Sequence, residues 1–219
     1  MSRMVLNGRI YQYGFIQASM ATLVIIAVLI DELPRLFNFK GVTLGSYFLS
    51  VVVLVASGMT SIISQSNAME GSKTLAVGLD KDLFYAYPHS ISVDGEIVKR
   101  FTEVLSKMPD EQSVVVIPEG IMINYISRKK SPVSVQAFYT IKEQEKLLVE
   151  QLKQKKPIWV VFMSRDLNEY GVTRFGAKGQ SGELIIDWLL KNYHVSSAYG
   201  QSPLKGMGGG EIYQINSSN

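Results

Sequence analysis

The sequence predicts two transmembrane α-helices followed by a small α/β domain, a mostly parallel sheet with flanking helices. Two observations carry that prediction. The first 69 residues hold two long uncharged stretches, and after residue 70 short apolar runs alternate with amphipathic ones. Length criteria govern the first half: about 20 mostly apolar residues cross a bilayer core. Period governs the second: apolar positions recur every three to four residues in helices and run together in buried strands.

The first uncharged stretch is IYQYGFIQASMATLVIIAVLI at 10–30, ended by Asp31-Glu32. The second spans Gly41 to Met69, and its apolar centre, VTLGSYFLSVVVLVASGMTSII, predicts a helix over about 42–64. Tyr11, Tyr13 and Phe15 near one end, and Phe37, Phe39 and Tyr47 near the facing ends, suit an interfacial aromatic belt. A signal peptide would have a shorter apolar run and a small-residue cleavage site. Arg3, Arg9, Arg35, Lys40, Lys73 and Lys81 flank the two stretches without asymmetry, so charge leaves the orientation open. Two crossings would place the N-terminus and the C-terminal domain on one side.

From residue 70 to 219 the elements follow in order. GEIVKRFTEVLSKM (95–108) has Ile97, Val98, Phe101, Val104, Leu105 and Met108 at helical spacing. SVVVIP (113–118) reads as a buried strand and IMINYIS (121–127) as a short helix. IKEQEKLLVEQLKQ (141–154) is a longer helix with Leu147, Leu148 and Leu152 inward; PIWVVFMS (157–164) is a second buried strand. GELIIDWLLKNY (182–193) is a third amphipathic helix, and VSSAYG (195–200) and GEIYQIN (210–216) close the domain around a Gly-rich turn. Strands alternating with helices imply a sheet that is parallel in its centre.

Composition excludes several chemistries. There are no cysteines and two histidines, His89 and His194, so thiolate metal sites, Cys nucleophiles and His-rich centres lack their parts. A net charge of +3 without clustered Lys/Arg gives no case for nucleic acid. No cofactor or metal site is predicted. Asp80-Lys81-Asp82 matches the paired carboxylates that hold a divalent metal in some nucleotide-sugar enzymes, but it follows no clear strand. GMGGGE (206–211) precedes no helix and so lacks a phosphate-binding helix start. SRKK (127–130) is a solvated helix end or a contact for anionic headgroups. Asn216-Ser217-Ser218 fits a glycosylation sequon in the tail.

Ligands of open α/β sheets gather beyond the carboxyl ends of the strands. Two loops meet that condition: PEG at 118–120 and SRDLNEYG at 164–171. The candidate binding residues are therefore Glu119, Arg165, Asp166, Glu169 and Tyr170, with Asn124 in the helix after PEG. Together they make a polar crest of two signs, able to hold a sugar, a phosphate or a peptide. Each also has an ordinary structural use: Pro and an acid suit a helix start, and Arg-Asp loops make local turns. No nucleophile–base pair can be assembled, so no catalytic residue is assigned.

VVVIPEGIMINYISRKKSP, then KKPIWVVFMSRDLNEYGVTRFG, then a helix ending in NYHV, resembles the C-terminal portion of bacterial polytopic membrane glycosyltransferases. These are family 39-like proteins related to the dolichyl-phosphate-mannose protein mannosyltransferases. YQYGFIQASMA with the apolar stretches after it is similar to their last membrane helices, so the resemblance covers essentially the whole chain. Its most specific pieces, PEGIMINYISR and SRDLNEYG with the trailing FG, are not catalytic signatures. The resemblance implies an inner-membrane, multi-pass enzyme that transfers a sugar from a polyprenyl-phosphate carrier at the extracytoplasmic face. In that family the catalytic acid lies in an early loop, which has no counterpart here. The chain is thus expected to be an inactive C-terminal part whose partners are membrane lipid and the missing N-terminal membrane helices. Residues 70–219 would be an extracytoplasmic domain shaping the acceptor side. The alternative is a free-standing membrane-anchored α/β binding module.

Overall fold

The computed structural model describes residues 14–135, 137–139 and 142–216. The chain divides into two compact units, parting between Glu70 and Gly71.

In the first unit, helix α1 (Gly14–Ala27) leads into a π-helical turn (Val28–Glu32) and a short helix α2 (Leu33–Leu36). Helix α3 runs from Gly41 to Gly71. Only α3, among the described residues, is long and apolar enough to cross a membrane. At 1.5 Å per residue it extends about 46 Å, against a hydrocarbon core of about 30 Å.

The expected pair of spanning helices is therefore corrected to one. The 14 residues of α1 reach about 21 Å at that rise, and residues 10–13 of the expected first span lie outside the described residues. Pro34 explains the change of helical register that ends α1. It has no N–H, and its ring crowds the carbonyl four residues back. In the π register, Leu33 N–H bonds to the Val28 carbonyl, so the next donor, for Leu29, would be the proline nitrogen. The Tyr47 hydroxyl from α3 supplies that missing donor, bonding the Leu29 carbonyl at 2.6 Å. Phe37, Phe39, Tyr47 and Phe48 pack in sequence beside it, with ring centroids 5.1–5.8 Å apart.

The second unit opens with a two-stranded hairpin, β1 (Leu75–Val77) and β2 (Phe84–Ala86). Helix α4 (Asp94–Ser106) follows, started by a Ser92–Asp94 turn. Then come β3 (Val114–Ile117), α5 (Ile121–Ser127), α6 (Lys142–Lys155), β4 (Trp159–Met163), α7 (Glu183–Asn192), β5 (Tyr193–Gly200) and β6 (Gly209–Ile215). These lie close to the positions read from periodicity. The sheet they form is a different matter.

Strand order is β3-β4-β6-β5, with one parallel pair, β3–β4, and two antiparallel pairs. The expectation of a mostly parallel sheet is thus overturned. A parallel neighbour needs a crossover connection, whereas β5 and β6 are joined by a Gly-rich hairpin turn, which forces them antiparallel. β6 then inserts between β5 and β4, and a second antiparallel ladder results.

Alternation along the strands divides the core in two. Val115, Ile117, Val160, Phe162 and Tyr213 pack with Leu148, Val149 and Leu152 of α6 and Ile185, Ile186 and Leu189 of α7. The intervening Val114, Val116, Trp159, Val161 and Ile212 pack with Ile97, Phe101 and Leu105 of α4 and Ile123 of α5. Period 2 on the strands and 3.6 on the helices produces both layers. Although β3 is an edge strand, all four of its residues are buried. The chain after α5 covers it: Val114 N–H bonds to the Lys130 carbonyl, and Phe138 N–H to the Pro118 carbonyl.

Candidate functional site

Because β3 and β4 are parallel and in register, Ile117 opposite Phe162, their outgoing loops emerge side by side. Glu119 follows the first strand and Arg165 the second. Their side chains form an ion pair, Arg165 Nε to Glu119 Oε1 at 2.6 Å. Both are partly exposed, so the pair adds little to stability, on the order of 0–1 kcal/mol. Its value is positional: it fixes a carboxylate and a guanidinium on the crest.

Gly120 lets the chain turn this tightly. A Cβ there would lie 2.5 Å from Val116 Cγ1, so any other residue must push the Val116 side chain aside. A backbone bridge between Glu119 and Ala137 brings the 137–139 segment alongside. That places Tyr139 on the crest, beside Glu119 and Tyr170. The Tyr139 and Tyr170 rings stack with centroids 4.4 Å apart. Burial first, then the Tyr170 and Glu119 contacts, push the Tyr139 phenol well above its ordinary range and keep it a neutral donor.

The second loop is firmly held. Asp166 Oδ1 accepts from Asn168 N–H at 3.0 Å, closing a turn into the 3-10 segment Asn168–Tyr170. Leu167, Val172 and Phe175 are buried beneath it. The Ser164 hydroxyl accepts from Gly208 and Gly209 N–H at 2.9 and 3.0 Å and donates to the Gly209 carbonyl. The Gly-rich 206–211 stretch is therefore fastened to the root of this loop.

The structure thus brings Glu119, Arg165 and Tyr170 together. Asp166 is bonded into its own turn, and the side chain of Glu169 lies outside the described residues. Asn124 stands apart. Its amide donates to the Val114 and Lys129 carbonyls at 2.9 and 3.1 Å, at the start of β3 and a strand's length from Glu119. Its work is to tie α5 to the sheet edge. Tyr139 was invisible in the sequence, because it sits in a stretch with no period. An aromatic in an aperiodic, Ser- and Pro-containing connection was the only available signal.

Other motifs resolve structurally. Asp82 pairs with Arg128 and accepts from the Tyr125 hydroxyl at 2.9 Å, so Asp80-Lys81-Asp82 does not present two open carboxylates. Among the described residues no group of three or more His, Asp or Glu could hold a metal. Within SRKK, Lys129 is buried; its Nζ donates to the Met108 and Pro109 carbonyls and to Asp110. Of the sequon, Ser217 and Ser218 lie outside the described residues.

No family model matches the chain, and no curated protein matches it. Among solved structures, it is similar to the C-terminal globular domain of an oligosaccharyltransferase from Archaeoglobus fulgidus, at 15% identity and a TM-score of 0.28. The match covers 55% of this chain and 95% of that one. At that TM-score the likeness carries no inference about fold or chemistry.

Proposed function

We propose that this chain is the membrane-anchored, acceptor-facing part of a glycosyltransferase that uses a polyprenyl-phosphate sugar donor, with catalysis supplied by other membrane segments of the complete enzyme. The soluble unit then sits at the extracytoplasmic face of the inner membrane and contacts the acceptor. One observation supports this reading above the others: a crest at the carboxyl ends of the parallel pair joins Glu119 and Arg165 with the stacked Tyr139 and Tyr170. Such a set suits a saccharide. A carboxylate and a guanidinium bond vicinal hydroxyls in pairs, and the outer face of half-exposed Tyr170 offers an apolar surface to a sugar ring. A membrane-length helix that precedes this domain in the chain fits a lipid-linked donor.

With catalysis supplied by other membrane segments, the chain alone is expected to turn over no donor. The test is saturation-transfer NMR of the full chain in lipid nanodiscs with a panel of mono- and oligosaccharides. At least one saccharide should receive transfer, and Arg165→Met and Tyr170→Ala should abolish it with the unfolding midpoint nearly unchanged. Wild-type-like transfer in both variants would refute the crest assignment. The same crest of a carboxylate, a guanidinium and stacked tyrosines also suits a free-standing membrane-anchored binding module without catalytic activity. That reading predicts crest binding to a peptide or phosphate rather than to any saccharide.

A further inference from the structure

Helix α5 carries its core residue, Ile123, on one face and leaves Ile121, Met122 and Tyr125 about half exposed on the other. Spacings of three and four place those three on one stripe of the helix. The tip between β1 and β2 adds Leu79, 80% exposed, and Leu83, about half exposed. Tyr125 joins the two groups, since its hydroxyl bonds Asp82 at the tip and its ring lies under Arg128, 4.9 Å from the centroid. Beside them opens a cleft of about 940 Å³ in whose lining Lys81, Lys99 and Arg128 are balanced by Asp80, Asp82 and Glu103. Exposed apolar tips and a tyrosine, with lysines beside them, are the composition of a membrane-interface contact.

We propose that this face, Leu79–Leu83 with the outer stripe of α5, docks on the lipid surface, apolar tips among the headgroups and Lys81 and Lys99 toward phosphates. The occupant is argued from connectivity. The membrane-length helix ends at Gly71, and Leu79 follows eight residues later, a reach of at most about 28 Å for extended chain. Whatever the domain's orientation, this patch is tethered within one bilayer thickness of where α3 ends. A tether holds the local concentration of lipid high, so a weak apolar contact suffices. The proposal does not depend on the crest or on what it binds.

The absence of cysteine makes the test clean. Leu79→Cys, Met122→Cys and, as a control, Leu147→Cys are each labelled with NBD in the full chain and reconstituted in nanodiscs of phosphatidylcholine and phosphatidylglycerol. Leu147 is a suitable control because, contrary to the inward placement expected from the sequence, it is exposed on α6, which packs on the opposite face of the sheet. Labels at 79 and 122 should show blue-shifted emission and several-fold stronger quenching by headgroup-region nitroxide lipid than the label at 147. Emission and quenching at 79 and 122 equal to those at 147 would overturn the proposal. So would shielding of both sites from aqueous iodide without lipid quenching, which indicates a protein partner. Two labelled sites on separate elements guard against one substitution disturbing its own segment.

Discussion

At the scale of single residues, the charged groups of this protein divide into those that hold the chain and those that face outward. Lys129 belongs to the first kind: buried, with three oxygen acceptors around Nζ. Replacing it with methionine keeps the volume but removes the charged donor from the Met108 carbonyl and Asp110, while the Pro109 carbonyl keeps the Gln112 N–H. We expect a loss of about 2 kcal/mol in urea unfolding, in the range for losing hydrogen bonds made by a charged group. Glu119 and Arg165 belong to the second kind, and their removal should shift stability by less than about 1 kcal/mol. The sequence could not separate these cases. SRKK reads as uniformly solvated, and only the fold turns one of its three cations inward.

At the scale of elements, the joint between α6 and α7 depends on one carboxylate. Glu145 is fully buried, and its Oε1 accepts the Leu184 and Ile185 N–H groups at 2.7 and 3.3 Å. It thereby satisfies donors at the start of α7 and sits at the positive end of that helix's dipole. Among the described residues its Oε2 has no partner. Glu145→Ala should lower stability by about 2 kcal/mol, and Glu145→Gln by clearly less, because the amide oxygen keeps an acceptor for α7. Equal losses in chemical denaturation would show that the charge, rather than the hydrogen bonds, holds α7. Elements of this kind were largely legible from period. Ile97, Phe101 and Leu105 at four-residue spacing specify the inner face of α4, and the Val runs specify β3 and β4. The direction of the sheet was not legible, since no local pattern reveals that β6 returns between β4 and β5. Nor was the fate of the first apolar stretch, where Pro34 counts for more than mean hydropathy.

At the scale of the whole molecule, pH reports on the core. Tyr193 and Tyr213 are buried, and burial pushes both phenols well above the ordinary value of 10.0. For Tyr213 a hydrogen bond to Glu211 adds to the effect. A group whose folded pKa is raised contributes stability that is present in full below its unfolded pKa and disappears as pH rises through the folded one. The stability of this protein should therefore be level through neutral pH and fall above about pH 10, where the unfolded chain loses phenolic protons first. Tyr193→Phe, although it removes the bond to the Pro157 carbonyl, should flatten that alkaline decline in pH-dependent denaturant midpoints. A decline of unchanged steepness would assign it to other groups.

The site shows the same division between local and long-range information. Position beyond two strand ends picked out Glu119, Arg165 and Tyr170. Tyr139 came from a distant aperiodic stretch, and Asn124 was drawn in by mere closeness in sequence. Hydrogen–deuterium exchange of the full chain in nanodiscs, with and without a saturating saccharide from the binding panel, tests the crest most directly. The prediction is slowed exchange in peptides covering 118–120 and 164–171, with 78–83 and 193–200 unchanged. Unchanged exchange in both crest loops, with protection elsewhere in the domain, would contradict it.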